Sequence, residues 1–512
     1  MRRLRVTVLD LTTERPTRAL YARLMNANLA SIMPQVIAVW CEQAGHDVRY
    51  VCYTGFEDLG SEVLGPADVV FIGAFTQAAH TAYAISNLHR QRGAITVLGG
   101  PHARCYPQDT ARYFDYVLGF TNRTLIEDVL REREPRPGAG QHLSAPSQPR
   151  ELPGVQERWK FIEATLAKAP VLKVVPMLGS MGCPYTCSFC IDSTVPYQPL
   201  GFDQIRSDLR FLLTKMRYPR VGWHDPNFGV RFDDYLGAIE EAVPPGSMDF
   251  FAESSLSLLS EPRVERLATN GFKVMLPGIE SWFALGNKSK TGRDFGAEKV
   301  RRVADHINMI LRYMPYVQTN FVLGLDTDEG DDPFELTKRF IDLAPGAFPV
   351  FSLLSAFGRA APLNLDLQRD GRVLPFPFHF LDASQAMNVV PKNYPWRGFY
   401  DKLVDLEHYA YSTPRIVRRF IANRTSIPKW MNVVRGISSE RLGRVSHHAR
   451  VRGLLRSDRS VHSFHHRETS TLPTFYANRV RRDLGKLWEA LPLGGLLHDH
   501  NAYLRTETSP AV

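Results

Sequence analysis

Short apolar runs alternate with amphipathic stretches through the first 130 residues. The segments 4-LRVTVLD-10, 48-VRYVCY-53, 68-DVVFIGA-74, 95-ITVLGG-100 and 115-DYVLG-119 predict five strands. Helical periodicity fills the gaps, clearest over 29–44 and 78–92. Nearly all-apolar strands separated by helices predict a doubly wound, Rossmann-like parallel sheet covered on both faces, over 1–130. The crevice of such a sheet lies at the strands' carboxyl ends, which singles out 73-GAFTQ-77 and 99-GGPHA-103. The next stretch, 131–165, holds five prolines by residue 156 and no apolar periodicity there, so it reads as a linker.

A second alternating series occupies 166–375. Its strands are 171-VLKVVPML-178, 220-RVGWHD-225, 248-MDFFAES-254, 272-FKVMLPGIE-280, 316-YVQTNFVLGLD-326 and 348-FPVFSLLSAF-357. Helical patterns at 203–216, with Asp203 as its N-cap, and at 297–311 lie among them. Six β/α units predict a partial (β/α)6 TIM-like barrel with its chemistry at the strands' carboxyl ends. Residues 376–512 read as a mostly helical extension rich in Arg and His.

Composition narrows the picture. The 44% hydrophobic and 22% charged content is that of a globular protein. The N-terminus reads as a strand, not a secretory signal, and the longest apolar stretch, 27–45, is broken by Pro34, Gln35 and Glu42, so no membrane span is expected. Six cysteines in 512 residues make no disulfide framework and point to a reducing cytoplasm. The formal charge of +9 is local, because 413–482 holds sixteen Arg or Lys against three Asp or Glu. That stretch, with Trp430, Phe464, Phe475 and Tyr476, admits RNA, an anionic membrane surface or an acidic substrate, but its dispersed arginines and lack of an RNA-binding signature predict a solvated helical surface and no nucleic-acid partner. The pairs His447–His448 and His465–His466 read as surface histidines.

Three of the six cysteines crowd into 179-GSMGCPYTCSFCIDS-193. A structural zinc site needs a fourth ligand, and no fourth Cys or His is nearby. A disulfide would leave one thiol over. A [4Fe–4S] cluster normally takes four thiolates, so three would leave one iron open. Cys41, Cys52 and Cys105 lie on separate elements and read as small hydrophobes.

The run Cys183-x3-Cys187-x2-Cys190, with Phe189 as its aromatic, resembles the signature of the radical S-adenosylmethionine (radical SAM) superfamily. That resemblance implies a [4Fe–4S] cluster held by Cys183, Cys187 and Cys190. The open iron would chelate SAM, whose reductive cleavage yields a 5′-deoxyadenosyl radical. It also implies SAM contacts by Phe189, by Asp225 and Asn227 of 224-HDPNFG-229, by Glu253, by Glu280 of 277-PGIES-281 and near Gly324. The preceding doubly wound domain resembles the cobalamin-binding class, with 96-TVLGGPHARCYP-107 its closest match. Thr76, Gly99 and Gly100 would then contact the cofactor, since two glycines admit a close approach that Cβ atoms would block. No Asp-x-His-x-x-Gly is present to supply a cobalt ligand, and Phe120 stands where the class places a glutamate.

These resemblances imply a cytoplasmic enzyme that methylates a carbon of a small-molecule substrate with cobalamin. A low-potential donor such as flavodoxin or ferredoxin would supply electrons. Radical rearrangement, cyclisation or oxidation without methyl transfer is an alternative. Another is a non-catalytic cobalamin or cluster sensor whose basic tail contacts nucleic acid.

Overall fold

Two six-stranded parallel sheets set the architecture. The computed structural model describes residues 2–17, 19–289, 291–292, 294–500 and 502, without the side chains of 286 and 287. In the first sheet β1 (Arg5–Leu11), β2 (Asp47–Tyr53), β3 (Val69–Ala74), β4 (Ile95–Gly99), β5 (Tyr116–Leu118) and β6 (Gln141–Leu143) lie in the order β2-β1-β3-β4-β5-β6. All pairs are parallel, and helices such as Ile32–Gln43 and Ala79–Gln91 link them. The order reverses between β1 and β3, the switch point where such sheets open a crevice.

The stretch 131–165 is not the open linker that its prolines suggested. Residues 141–143 pair with β5, and Val155–Lys168 is a helix begun at Gly154. Three edge residues are too few to show alternation.

The barrel follows. Strand β7 (Val175–Met177) precedes an antiparallel pair, β8 (Ser180–Met181) and β9 (Gln198–Pro199), which brackets the cysteine motif. Then come β10 (Arg220–Trp223), β11 (Asp249–Ser255), β12 (Phe272–Glu280), β13 (Tyr316–Leu323) and β14 (Phe348–Leu353). The order β14-β13-β12-β11-β10-β7 is parallel and open. The first helix after the motif is Phe202–Lys215, capped by Gly201; Asp203 falls in its first turn and pairs with Arg206.

Both edges of the open barrel are covered. Beside β7, the Asn28 amide donates to Leu172 O and accepts from Val174 N, each at 3.0 Å. Beside β14, the extension places arginines where water would otherwise stand. Arg419 is buried, spreads over the Phe348 ring and donates to Ala347 O at 2.9 Å. Arg435 donates to Tyr316 and Gln318 of β13, and Arg444 donates to Phe351 O of β14. Both arginines also face the buried Glu440. The basic region is therefore only partly a solvated surface.

Three of the four paired histidines are likewise not on the surface. His448 is buried against Glu407 at 2.9 Å, and His465 is buried against the Tyr476 hydroxyl at 2.8 Å; of the four, His466 is exposed. The helical run Leu20–Gln43 is long and apolar enough to cross a membrane by length and composition, yet 67% of its apolar window is buried inside the protein.

Burial holds His102 and His465 neutral, with pKa values lowered to about 3. The unfolded chain binds protons at these imidazoles below roughly pH 6.5 and the fold does not, so stability is complete above that pH and falls below it. Each is expected to remove about 1.4 kcal/mol per pH unit on the way down to about 3. The buried carboxyls of Asp10 and Asp328, raised to about 7, oppose this loss, but His89, His224, His447 and His498 are lowered as well, so the melting temperature should drop between about pH 6.5 and 5; a flat profile would mean that the buried imidazoles do not outweigh the two carboxyls.

Candidate active site

The cysteine loop sits over the carboxyl ends of the barrel strands. Its turn is closed by Cys190 N donating to Cys187 O at 2.9 Å, and Asp192 N approaches Cys190 Sγ at 3.4 Å. Cys183, Cys187 and Cys190 line one cavity of about 240 Å³ with Tyr185, Phe189, Asn227, Glu253, Glu280, Lys288 and Asn320. Burial raises all three thiols, Cys190 to about 11, while the nearby Lys288 ammonium opposes that shift. Among the described residues, no three His, Cys, Asp or Glu converge to hold a single ion. The donor set, three thiols around a shared space with a cation beside them, fits a multi-iron cluster that takes thiolates.

Glu280 and Lys288 form the cavity's ion pair, at 2.6 Å. The pair lies across the bare face of Gly278, where a Cβ would come within 2.2 Å of the Glu280 carboxylate. Glu280 itself has φ +66, next to a register shift between β12 and β13. A side-chain-bearing residue in the left-handed region is strained, and such strain persists only where surrounding contacts impose it. The Glu253 side chain has no ion pair or hydrogen bond among the described residues; it is exposed at the cavity wall, and desolvation by the surrounding protein raises its pKa. Asn227 accepts from Ser255 N at 2.8 Å, which fixes its amide at the cavity wall.

Three expected contacts lie elsewhere. Asp225 is buried beneath the loop, accepting from Gly179 N (2.9 Å), Ser180 Oγ (2.7 Å) and the Tyr235 hydroxyl (2.9 Å). It anchors the start of the cysteine loop and does not line the cavity. Gly324 gives its N–H to Asp328 at 3.0 Å and faces Met387 and Phe399. Thr76 is buried in the turn after β3 and lines neither cavity.

A second cavity, about 290 Å³, opens at the switch point of the first sheet. Ser31, Met33, Pro34, Phe75, Gly99, Gly100 and Phe120 line it from the first domain, and Leu178 and His224 from the barrel. A Cβ on Gly99 would meet nothing within 4 Å, so that face is free for a ligand. Gly100, at φ +93, packs instead on the backbone of Ala74. His46 takes Leu4 N near the opposite end of the sheet, and His80 and His102 pack around Phe378, so His224 is the imidazole at this cavity. The crevice's apolar floor and open glycine edge fit a cofactor's flat or extended part.

Arg104 links the linings of the two cavities, because its partner Asp192 lines the first. Its guanidinium lines the second cavity and donates to Asp192 at 3.2 Å and to Ile191 O at 2.7 Å, just beyond Cys190.

No family model matches the chain. Two Chlorobaculum tepidum proteins are similar in sequence. The bacteriochlorophyllide d C-12(1)-methyltransferase is 23% identical, over 69% of this chain and 76% of its own length. The C-8(2)-methyltransferase is 25% identical, over 57% and 67%. Among solved structures, the cobalamin-dependent radical SAM enzyme OxsB aligns with 96% of this chain and 84% of its own at a TM-score of 0.55 and 12% identity. The radical SAM methyltransferase TsrM of Kitasatospora setae aligns over 77% and 80%, at 0.53 and 14%. The chain has the fold of a cobalamin-dependent radical SAM enzyme.

In this radical SAM fold the sequence pattern missed Arg104, Lys288, Asn320 and His224. Asn320, a polar residue within an apolar strand, carried a detectable signal. Lys288, eight residues beyond Glu280, carried none. Replacing Asp225 by Asn puts an amide where three donors converge. It should cost about 2 kcal/mol or more and speed alkylation of Cys183, Cys187 and Cys190 in the metal-free protein. Unchanged alkylation rates would show that the loop does not depend on Asp225.

Proposed function

We propose that the protein is a cobalamin-dependent radical SAM methyltransferase acting on a carbon of a small-molecule substrate. The observation that supports this reading most is the pairing of two cavities. One is ringed by the three cysteines, and the other opens at the Gly99–Gly100 edge with His224 at its barrel side.

In this reading Cys183, Cys187 and Cys190 hold the cluster, and SAM lies beside Phe189, Asn227, Glu253 and Glu280. When bound, the cluster supplies the electron that cleaves SAM, and the corrinoid carries the methyl group. The protein's own work is orientation and exclusion. Lys288 sets a positive charge beside the thiolates and meets a carboxylate, while the unpaired Glu253 meets an ammonium group. Phe189 walls the cavity with an apolar ring, limiting water near a reactive species. Gly99 lets the corrinoid's tail approach the sheet edge. An external low-potential donor supplies electrons.

Anaerobic reconstitution with iron, sulfide, SAM, cobalamin and reductant tests the reading. Bound corrinoid, 5′-deoxyadenosine and S-adenosylhomocysteine are expected. Absence of both nucleoside products from the cluster-loaded protein, with candidate substrates supplied, would overturn it. Cys187→Ala should lose the cluster's visible absorbance and all cleavage. Glu253→Gln should retain the cluster yet weaken SAM binding about tenfold or more, as expected for a lost charge-assisted contact; unchanged SAM affinity would remove Glu253 from the contact set.

A further inference from the structure

The C-terminal extension presents a face that the rest of the protein leaves uncovered. Helices Thr413–Ala422 and Ser426–Arg435 form a hairpin, and the rings of Phe420 and Trp430 meet across it at 5.3 Å. Ile416, Arg419 and Asn432 are buried. Other positions leave large apolar side chains in water: Val417 is 49% exposed, Ile421 72%, Ile427 62% and Trp430 60%. Their spacing, i and i+4 on one helix and i and i+3 on the next, makes two adjoining apolar stripes. An ordinary solvated helix would turn charged residues outward there.

The charge on this hairpin has one sign. Residues 413–435 contain six Arg or Lys and no Asp or Glu. Arg419 and Arg435 are used against the barrel, and Arg415 pairs with Asp342. Arg418 approaches the same carboxylate at 3.3 Å but is half exposed, while Arg424 and Lys429 form no ion pair among the described residues. The neighbouring helix Leu20–Met25 extends the face. Tyr21 N donates to Ser438 Oγ at 3.2 Å, Leu20 is 52% exposed, and Arg23 lies over the half-exposed Phe56.

We propose that this hairpin docks the protein on an anionic lipid membrane surface. Exposed Ile and Trp side chains rimmed by Arg and Lys are the composition of helices that lie in the headgroup region. The rim complements anionic headgroups, and a fluid acyl boundary accepts isolated apolar side chains without a partner pocket of matching shape. No acidic side chain on the hairpin opposes such contact. The two cavities lie apart from this face, so docking and cofactor binding use different residues.

Flotation of the full chain with phosphatidylcholine vesicles, with and without phosphatidylglycerol, tests the proposal. Binding should require phosphatidylglycerol and weaken as salt is added. The double variant Ile421→Glu/Trp430→Glu should lose about tenfold or more in vesicle affinity with an unchanged circular dichroism spectrum and melting temperature. Should that variant misfold, Trp430→Phe serves instead: wild-type tryptophan emission should shift to the blue with vesicles, and the variant should lack that part of the shift. No binding to phosphatidylglycerol vesicles at low salt would overturn the proposal. So would equal binding by a folded double variant. Self-association, or binding of a short RNA, that the double variant abolishes while vesicles go unbound would also overturn it and assign the face to a second copy or to nucleic acid.

Discussion

The placement of the two cavities rests on one short helix, Pro101–Cys105, that leaves the Gly99–Gly100 edge. Its Arg104 holds Asp192 and Ile191 O of the cysteine loop. One residue on, the Cys105 carbonyl packs so closely on Gly358 that a Cβ there would lie 2.0 Å away. Next, the Tyr106 hydroxyl donates to Ala356 O at 3.2 Å. Three consecutive residues of the first domain thus touch the loop before the barrel's second strand and the loop after its last. An exposed ion pair would fix little. Here a half-buried planar guanidinium grips a carboxylate and a carbonyl at once, which restricts orientation as well as distance.

That docking explains which parts of the fold the sequence could disclose. Strands buried on both faces write themselves as apolar runs, so β1 to β4 and β10 to β14 are legible to within a few residues. β6 is not, because a three-residue edge strand owes its place to a neighbour and not to its own pattern. Arg419, Arg435 and Arg444 misled for a related reason. Charge along a chain does not reveal that a guanidinium lies over Phe348 or beside Glu440; these side chains bury their stems while Arg419 and Arg444 donate to the carbonyls of Ala347 and Phe351 and Arg435 to the Tyr316 hydroxyl and the Gln318 side chain.

The site divides along the same line. Cys183, Cys187 and Cys190 are legible because a loop of eight residues must bring them together whatever the fold. Asp225 and Asn227 were indistinguishable by pattern, yet two residues of turn send one carboxylate beneath the loop and the other side chain to the cavity wall. Lys288 lies far from the cysteines in sequence and enters the cavity on a four-residue helix after β12, so no local spacing announces it.

Lys288 also gives the cavity its electrical logic. While the cysteines are thiols, its ammonium belongs to Glu280, and that bond helps to hold Glu280 in a left-handed conformation across Gly278. Once the cysteines are thiolates, three further negative groups compete for the same cation, in a space too enclosed for water to screen them fully. Asp192 is already satisfied by Arg104 and does not enter that competition. Glu253 does, since it opens into the cavity without a partner among the described residues. A ligand bearing both an ammonium and a carboxylate group would relieve both tensions together: Glu253 would gain its cation, and Lys288 would gain a second anion. On the proposed reading the cavity would select by charge arrangement as well as by size, and a neutral molecule of the same volume would leave the Glu253 carboxylate without a counter-charge.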